Sequence, residues 1–162
     1  MKNIYIVNPD CADCLVNIRN AVFETNSSSV HSVTYSNVGL KPSELPMDDD
    51  GYVIAYYGEF GKDLKYFKSQ SSKLSYLVSC CYYLGGWNDP TESSYQFRQI
   101  EDAVKEYIPG CQGIKIADFP DQPDIDHQSI PEYDIEIINI YDEEELINFI
   151  FNENVYLKTT CD

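Results

Sequence analysis

The hydrophobic pattern changes period part-way along the chain, and that change limits the fold more than any single residue does. Over the first 60 residues the pattern is that of strands. "NIYIV" forms a short apolar run stopped by Asn8 and Pro9, and "VHSVTYS" sets Val30, Ser32 and Thr34 on one side against His31, Val33 and Tyr35 on the other. "GYVIAYYGEF" gives a third strand after a loop holding Pro42, Pro46 and Asp48 to Asp50. The period then lengthens. "SSKLSYLVSCCYYLGG" places Leu74, Leu77, Val78, Cys81 and Leu84 on one helical face, with serines as caps and Gly85-Gly86 as a stop. "DPTESSYQFRQIEDAVKEYIPG" predicts a second helix, with Pro90 in its first turn, an apolar stripe of Phe97, Ile100, Val104 and Ile108, and Pro109-Gly110 at its end.

The remaining residues add two isoleucine-rich strand candidates, "QGIKIADF" and "YDIEIINIY", separated by the proline-marked loop "PDQPDIDHQSIPE". "DEEELINFIF" reads as a short helix capped by Asp142, with Leu146, Ile147 and Ile150 inward, and "NVYLKT" as a closing edge strand. The predicted architecture is α+β: an antiparallel or mixed sheet, two main helices packed on one face, and a short C-terminal helix. At 162 residues one domain is expected, with 1–18 as a leader holding a strand and a C-x-x-C, and 118–162 as an acidic C-terminal third. A hydrophobic content of 43% supplies a core, and 14 tyrosines against 7 phenylalanines predict many rings with a wet hydroxyl end.

Charge narrows the function. The chain carries 27 acidic and 11 basic residues, a net charge of −16, and 13 of the acids face a single lysine, Lys158, from Asp118 onward. Direct binding to DNA, RNA or an anionic membrane is disfavoured, whereas basic protein surfaces are attracted and their encounter accelerated. Solubility alone is the plainer reading of the same charge. Lys62, Lys65, Lys68 and Lys73 form a small counter-patch that balances the surface locally. No targeting signal or membrane-spanning run is read from the sequence, so a cytoplasmic setting with reduced cysteines is expected.

The candidates for chemistry are few. Cys11 and Cys14 make one C-x-x-C, flanked by Asp10 and Asp13, where a structural zinc would need a second pair; a metal there is the weak alternative to none. Cys80 and Cys81 are expected to pack within the first helix. Asn26, Ser27, Ser28 and Ser29 precede a strand, and such residues bond back to the backbone in a turn that can also cradle a small anion. His31 follows that run, and His127 lies in "IDHQSI". If the two met, they could act as general acid and base on a phosphodiester in the manner of the two-histidine phosphoesterases. His127-Gln128-Ser129 fits the H-x-[ST] tripeptide, but His31-Ser32-Val33 does not. Asp118, Asp121, Asp124, Asp126 and His127 match no calcium loop, and no P-loop, G-x-G-x-x-G or G-x-S-x-G occurs. Structural histidines bonded to turn backbone are the ordinary alternative.

The segment "RNAVFETNSSSVHSVTYS" resembles the opening of a family of small bacteriophage and prophage proteins that begin with a "VFETNSSS-x-HS" motif. "GEFG" to "KLSYLVS", from Gly58 to Ser79, and "IDHQS" are similar to further pieces of that family, about a third of the chain in all. The resemblance implies a phage setting in the host bacterial cytoplasm, and no reaction. In that setting small acidic proteins are often anti-CRISPR-like, anti-defence inhibitors whose carboxylates stand where nucleic-acid phosphates would lie, and the resemblance implies that expectation here. The expected partner is a basic nucleic-acid-binding protein such as a CRISPR effector nuclease, engaged without cofactor and without direct nucleic-acid contact. The candidate partner-binding residues are Asp118, Asp121, Asp124, Asp126, Asp134, Glu136, Glu143, Glu144 and Glu145, with Tyr133 and Tyr141 as rings for arginine stacking. This favours a binding module over an enzyme. A phosphodiesterase or nucleotide-processing enzyme using His31 and His127 is the first alternative, and a phage structural or assembly protein the second.

Overall fold

The computed structural model describes residues 4–7, 15–22, 29–36, 38–61, 64–84, 94–117, 124–125, 135 and 137–161. In chain order the strands and helices are β1 (Ile4–Val7), β2 (Leu15–Val22), β3 (Ser29–Ser36), β4 (Tyr52–Ala55), β5 (Glu59–Phe60), β6 (Lys65–Phe67), α1 (Gln70–Leu84), α2 (Tyr95–Tyr107), β7 (Gly113–Ile116), β8 (Asp124–Ile125), α3 (Glu143–Phe151) and β9 (Tyr156–Cys161). The fold is α+β, as the change of period predicts.

The larger sheet has five strands in the order β1-β2-β3-β9-β6, and every pairing in it is antiparallel. β2 is a strand that the sequence pattern does not announce, and it runs from inside the expected leader, 1–18, to Val22. Its Val16, Ile18 and Val22 alternate with Leu15, Asn17 and Arg19, a period of two that pairs it with β1 on one side and β3 on the other. β9 is interior and not the expected edge strand: it runs between β3 and β6, with Val33 opposite Leu157 and Phe67 opposite the same residue from the other side. Val33 and Leu157 are both buried, so this strand is held by its apolar face as well as its ladder.

The other strands of the described residues form two small parallel pairs. β4 pairs with β7, from Tyr52 opposite Gly113 to Ala55 opposite Ile116, and the helices α1 and α2 lie in the connection that a parallel pair requires. β5 pairs with β8, setting Glu59 against Asp124. The expected third strand is thus two, broken at Gly58, where an added Cβ would lie 2.7 Å from both the Phe60 ring and Ser75 Oγ. Its backbone N–H donates to Ser79 Oγ at 3.0 Å, so the break is fastened to α1.

α1 starts at Gln70 with Ser69 Oγ accepting from Ser72 N at 3.1 Å. The single apolar face expected for it is too narrow. Leu74, Tyr76, Leu77, Val78, Cys80, Cys81, Tyr82 and Tyr83 are all buried, which makes α1 a central helix wrapped on several sides. It contacts β4 and β8 as well as both other helices, while α2 contacts β7 and α3 contacts β3. α2 keeps its predicted apolar stripe, with Phe97, Ile100 and Val104 buried, but not its predicted start: Ser94 Oγ caps Phe97 N at 3.1 Å, so the helix begins at Tyr95, and Pro90, expected in its first turn, lies outside the described residues. Glu101 Oε1 accepts from Ile114 N at 3.0 Å and ties α2 to β7.

"YDIEIINIY" is not a strand over its described residues. Ile138 N donates to Ile135 O at 3.3 Å and Asp142 N to Asn139 O at 3.0 Å, which are turns. A strand would aim Ile137 and Ile138 at opposite faces, and only a folded-back segment lets Ile135, Ile137, Ile138 and Ile140 all enter one core. Tyr133, Asp134 and Glu136 lie outside the described residues.

Candidate functional site

The described part of the acidic third concentrates its exposed charge at the start of α3. Asp142 is the N-cap, its Oδ1 accepting from Glu145 N at 3.1 Å, and Glu143 and Glu144 follow on the exposed first turn. Carboxylates at this end favour the helix through its macrodipole. Glu145 is turned to local use: its Oε1 accepts from Asn139 N at 2.8 Å and closes the preceding turn. Beside them Tyr141 and Tyr95, from the start of α2, are both more than half exposed, at 53% and 58%, and their rings stand 5.7 Å apart at 31°. Some acids elsewhere are neutralised by neighbours, among them Glu153 by Lys41 at 3.2 Å, Asp102 by Lys105 at 2.8 Å and Asp48 by Lys115 at 2.7 Å, so what sets the α3 acids apart is their place beside two exposed rings. Among the described residues no basic group pairs with Glu143 or Glu144.

The remaining sequence candidates divide sharply. His31 lies in β3, opposite Ala21 and Thr159, and Ser29 is the first residue of that strand instead of part of a turn. Asp124 lies in β8 and not in a loop. Cys11, Cys14, Asn26, Ser27, Ser28, Asp118, Asp121, Asp126 and His127 lie outside the described residues. Among the described residues no cluster of His, Cys, Asp or Glu could hold a metal ion. Cys80, Cys81 and Cys111 are buried thiols, and burial pushes Cys80 up to about 12.

Lys73 is the residue the sequence reading misplaced. It belongs to no surface patch: it is 0% exposed, and its Nζ donates to Asn152 O at 2.8 Å and Val155 O at 3.1 Å. Asn152 is the C-cap of α3, so the ammonium sits at the negative end of that helix. No carboxylate forms an ion pair with it among the described residues. Burial pushes the ammonium down to about 8.

That shift sets a pH dependence. Because Lys73 is less basic folded than unfolded, the unfolded chain holds more protons above pH 8 and stability rises with pH there. Cys80 works oppositely, since a thiol raised to about 12 takes stability away as pH climbs beyond its ordinary value of 9.0. The charged side chains around Lys73, namely Lys41, Glu44, Lys68 and Glu153, line the same cavity. Stability is expected to rise by about 1 kcal/mol from pH 8 to 9 and then flatten. Urea unfolding at each pH measures it, and Lys73→Met should remove the rise; an equal rise in that variant would assign it elsewhere.

Among the described residues no helix is long and apolar enough to cross a membrane. No protein-family model, curated protein or solved structure matches this chain.

Proposed function

We propose that the protein is a binding module that docks on a basic, arginine-bearing protein surface through the end of the molecule formed by Tyr95, Tyr141, Asp142, Glu143 and Glu144. The observation that carries this reading is the pairing of two exposed rings with carboxylates that have no basic partner among the described residues. An arginine stacks on a ring face while its guanidinium fork takes a carboxylate, a combination that lysine matches poorly. The net charge of −16 supplies the long-range attraction. The phage-family resemblance narrows the partner to a nucleic-acid-binding enzyme of a bacterial defence system, a CRISPR effector nuclease being the first choice, met in the host cytoplasm and occluded without a cofactor.

The experiment is a titration of the purified protein into a cleavage reaction at fixed nuclease concentration. Complete inhibition near one equivalent is the expected result. Glu143→Lys with Glu144→Lys should weaken inhibition by about tenfold or more and flatten its salt dependence. Glu145 is left in place because it holds Asn139 N. Unchanged inhibition in the double variant, with an unchanged melting temperature, would remove this face from the reading.

A further inference from the structure

At the opposite end of α3 from the acidic turn lies a cavity of about 380 Å³ lined by Lys41, Lys68, Lys73, Ser69 and Gln70, with Glu44, Phe151, Asn152 and Glu153 completing its wall. Three of the chain's eleven basic residues meet there, in a protein whose net charge is −16. Glu153 neutralises Lys41 at 3.2 Å, and Glu44 is exposed. Gln70 is occupied in building the wall: its Oε1 accepts from Glu44 N at 2.7 Å and its Nε2 donates to Pro42 O at 2.9 Å. Lys68 is exposed on the rim, its Nζ 5.6 Å from the Tyr156 ring centroid.

Two features leave this cavity electrically incomplete. Lys73 is fully buried and bonded only to two carbonyl oxygens, so one of its three N–H donors has no acceptor among the described residues and its charge has no counter-ion there. It also stands in the first turn of α1, a turn without an acidic residue, where the helix dipole adds positive potential to an ammonium that has two carbonyl acceptors but no counter-ion among the described residues. A buried cation of this kind is costly unless an anion is supplied.

We infer that this cavity binds a small oxyanion, a phosphate or the phosphate end of a small metabolite, at the start of α1, contacted by the exposed Lys68 and drawn by the uncompensated charge of Lys73 buried in the wall behind it. Its volume lies within the range of small-molecule sites and exceeds what a bare phosphate fills. The site shares no residue with the acidic face described above, so either can fail without the other.

Calorimetric titration of the full chain with sodium sulfate, against chloride at matched ionic strength, tests it. One saturable sulfate site is expected, weakened about tenfold by Lys68→Ala, the loss of one charge-assisted contact. Lys73→Met should abolish binding; where that variant fails to fold, Lys68→Ala alone decides. Inorganic phosphate, AMP and adenosine then distinguish the source: AMP tighter than phosphate with adenosine silent assigns a phosphate ester, and equal phosphate and AMP affinities assign the free ion. Sulfate binding no stronger than chloride, or unaltered by Lys68→Ala, overturns the inference.

Discussion

Replacing Asn152 with alanine is expected to destabilise the protein by about 3 kcal/mol, and to lower the melting temperature by about 10 °C for a chain of this size. Asn152 is 1% exposed and its side chain makes three bonds at once. Nδ2 donates to Ser36 O at 3.1 Å and to Asn148 Oδ1 at 2.8 Å, while Oδ1 accepts from Asn154 N at 2.9 Å. The first reaches the end of β3, the second lies within α3, and the third sets the turn into β9. Alanine leaves Asn154 N without its acceptor and takes one of two donors from Ser36 O, the other being Asn148 Nδ2 at 2.9 Å. The bond from Lys73 to the Asn152 carbonyl survives, because it is made to the main chain. Thermal and urea melts measure the loss. A cost below about 1 kcal/mol would mean that water replaces the amide, and that the hub is wetter than its burial indicates.

Gly39 supplies the second large effect. Its φ of +111° lies where L side chains carry strain, and an added Cβ would run into Asn154 Nδ2 and fall 2.6 Å from Asn152 Oδ1. The backbone cannot retreat freely, since Gly39 O accepts from Glu153 N at 3.0 Å and Val38 O accepts from Asn154 Nδ2 at 3.1 Å. Gly39→Ala should therefore cost about 2–4 kcal/mol, from conformational strain and overpacking together. A double-mutant cycle separates the two causes. In the Asn152→Ala background the clash with Oδ1 is gone, so the added cost of Gly39→Ala should shrink by about 1 kcal/mol. Strict additivity would assign the effect to φ and to the contact with Asn154 Nδ2, leaving nothing to Asn152 Oδ1.

Much of the fold was legible because the two periods are clean. β1, β3, β7 and the helices of the described residues follow from alternation, three-and-four spacing and the Asp142 cap, whereas the Ser94 cap of α2 is not announced, because Pro90 offers an earlier start. What failed did so for physical reasons. β2 mixes Asn17, Arg19 and Asn20 with its apolar residues, so no clean apolar run announces it, and its place is set by pairing with β1 and β3 and not by local preference. The isoleucines from 135 to 140 have strand propensity, yet the core needs all of them, and tertiary demand overrides local preference. β9 was placed at an edge because nothing local in "VYLKTT" announces that β3 and β6 lie on either side. Lys73 had a signal that went unused: four residues before Leu77 and one turn from Tyr76, it shares a face with buried residues. Of the candidate site, Glu143, Glu144 and Tyr141 were named from sequence, whereas Tyr95 becomes their neighbour only through the meeting of two helices distant in the chain.

The interior position of β9 also governs the order in which this protein can come into being. β3 is made early and its partner more than a hundred residues later, so a nascent chain emerging from the ribosome exposes one edge of β3 throughout the synthesis of all three helices. β6 waits for the same strand. Only the pairings β1-β2 and β2-β3 can form early: until β9 is free, the open edge of β3 is available to other chains, and the β9 pairings that complete the sheet form late, governed by long-range closure.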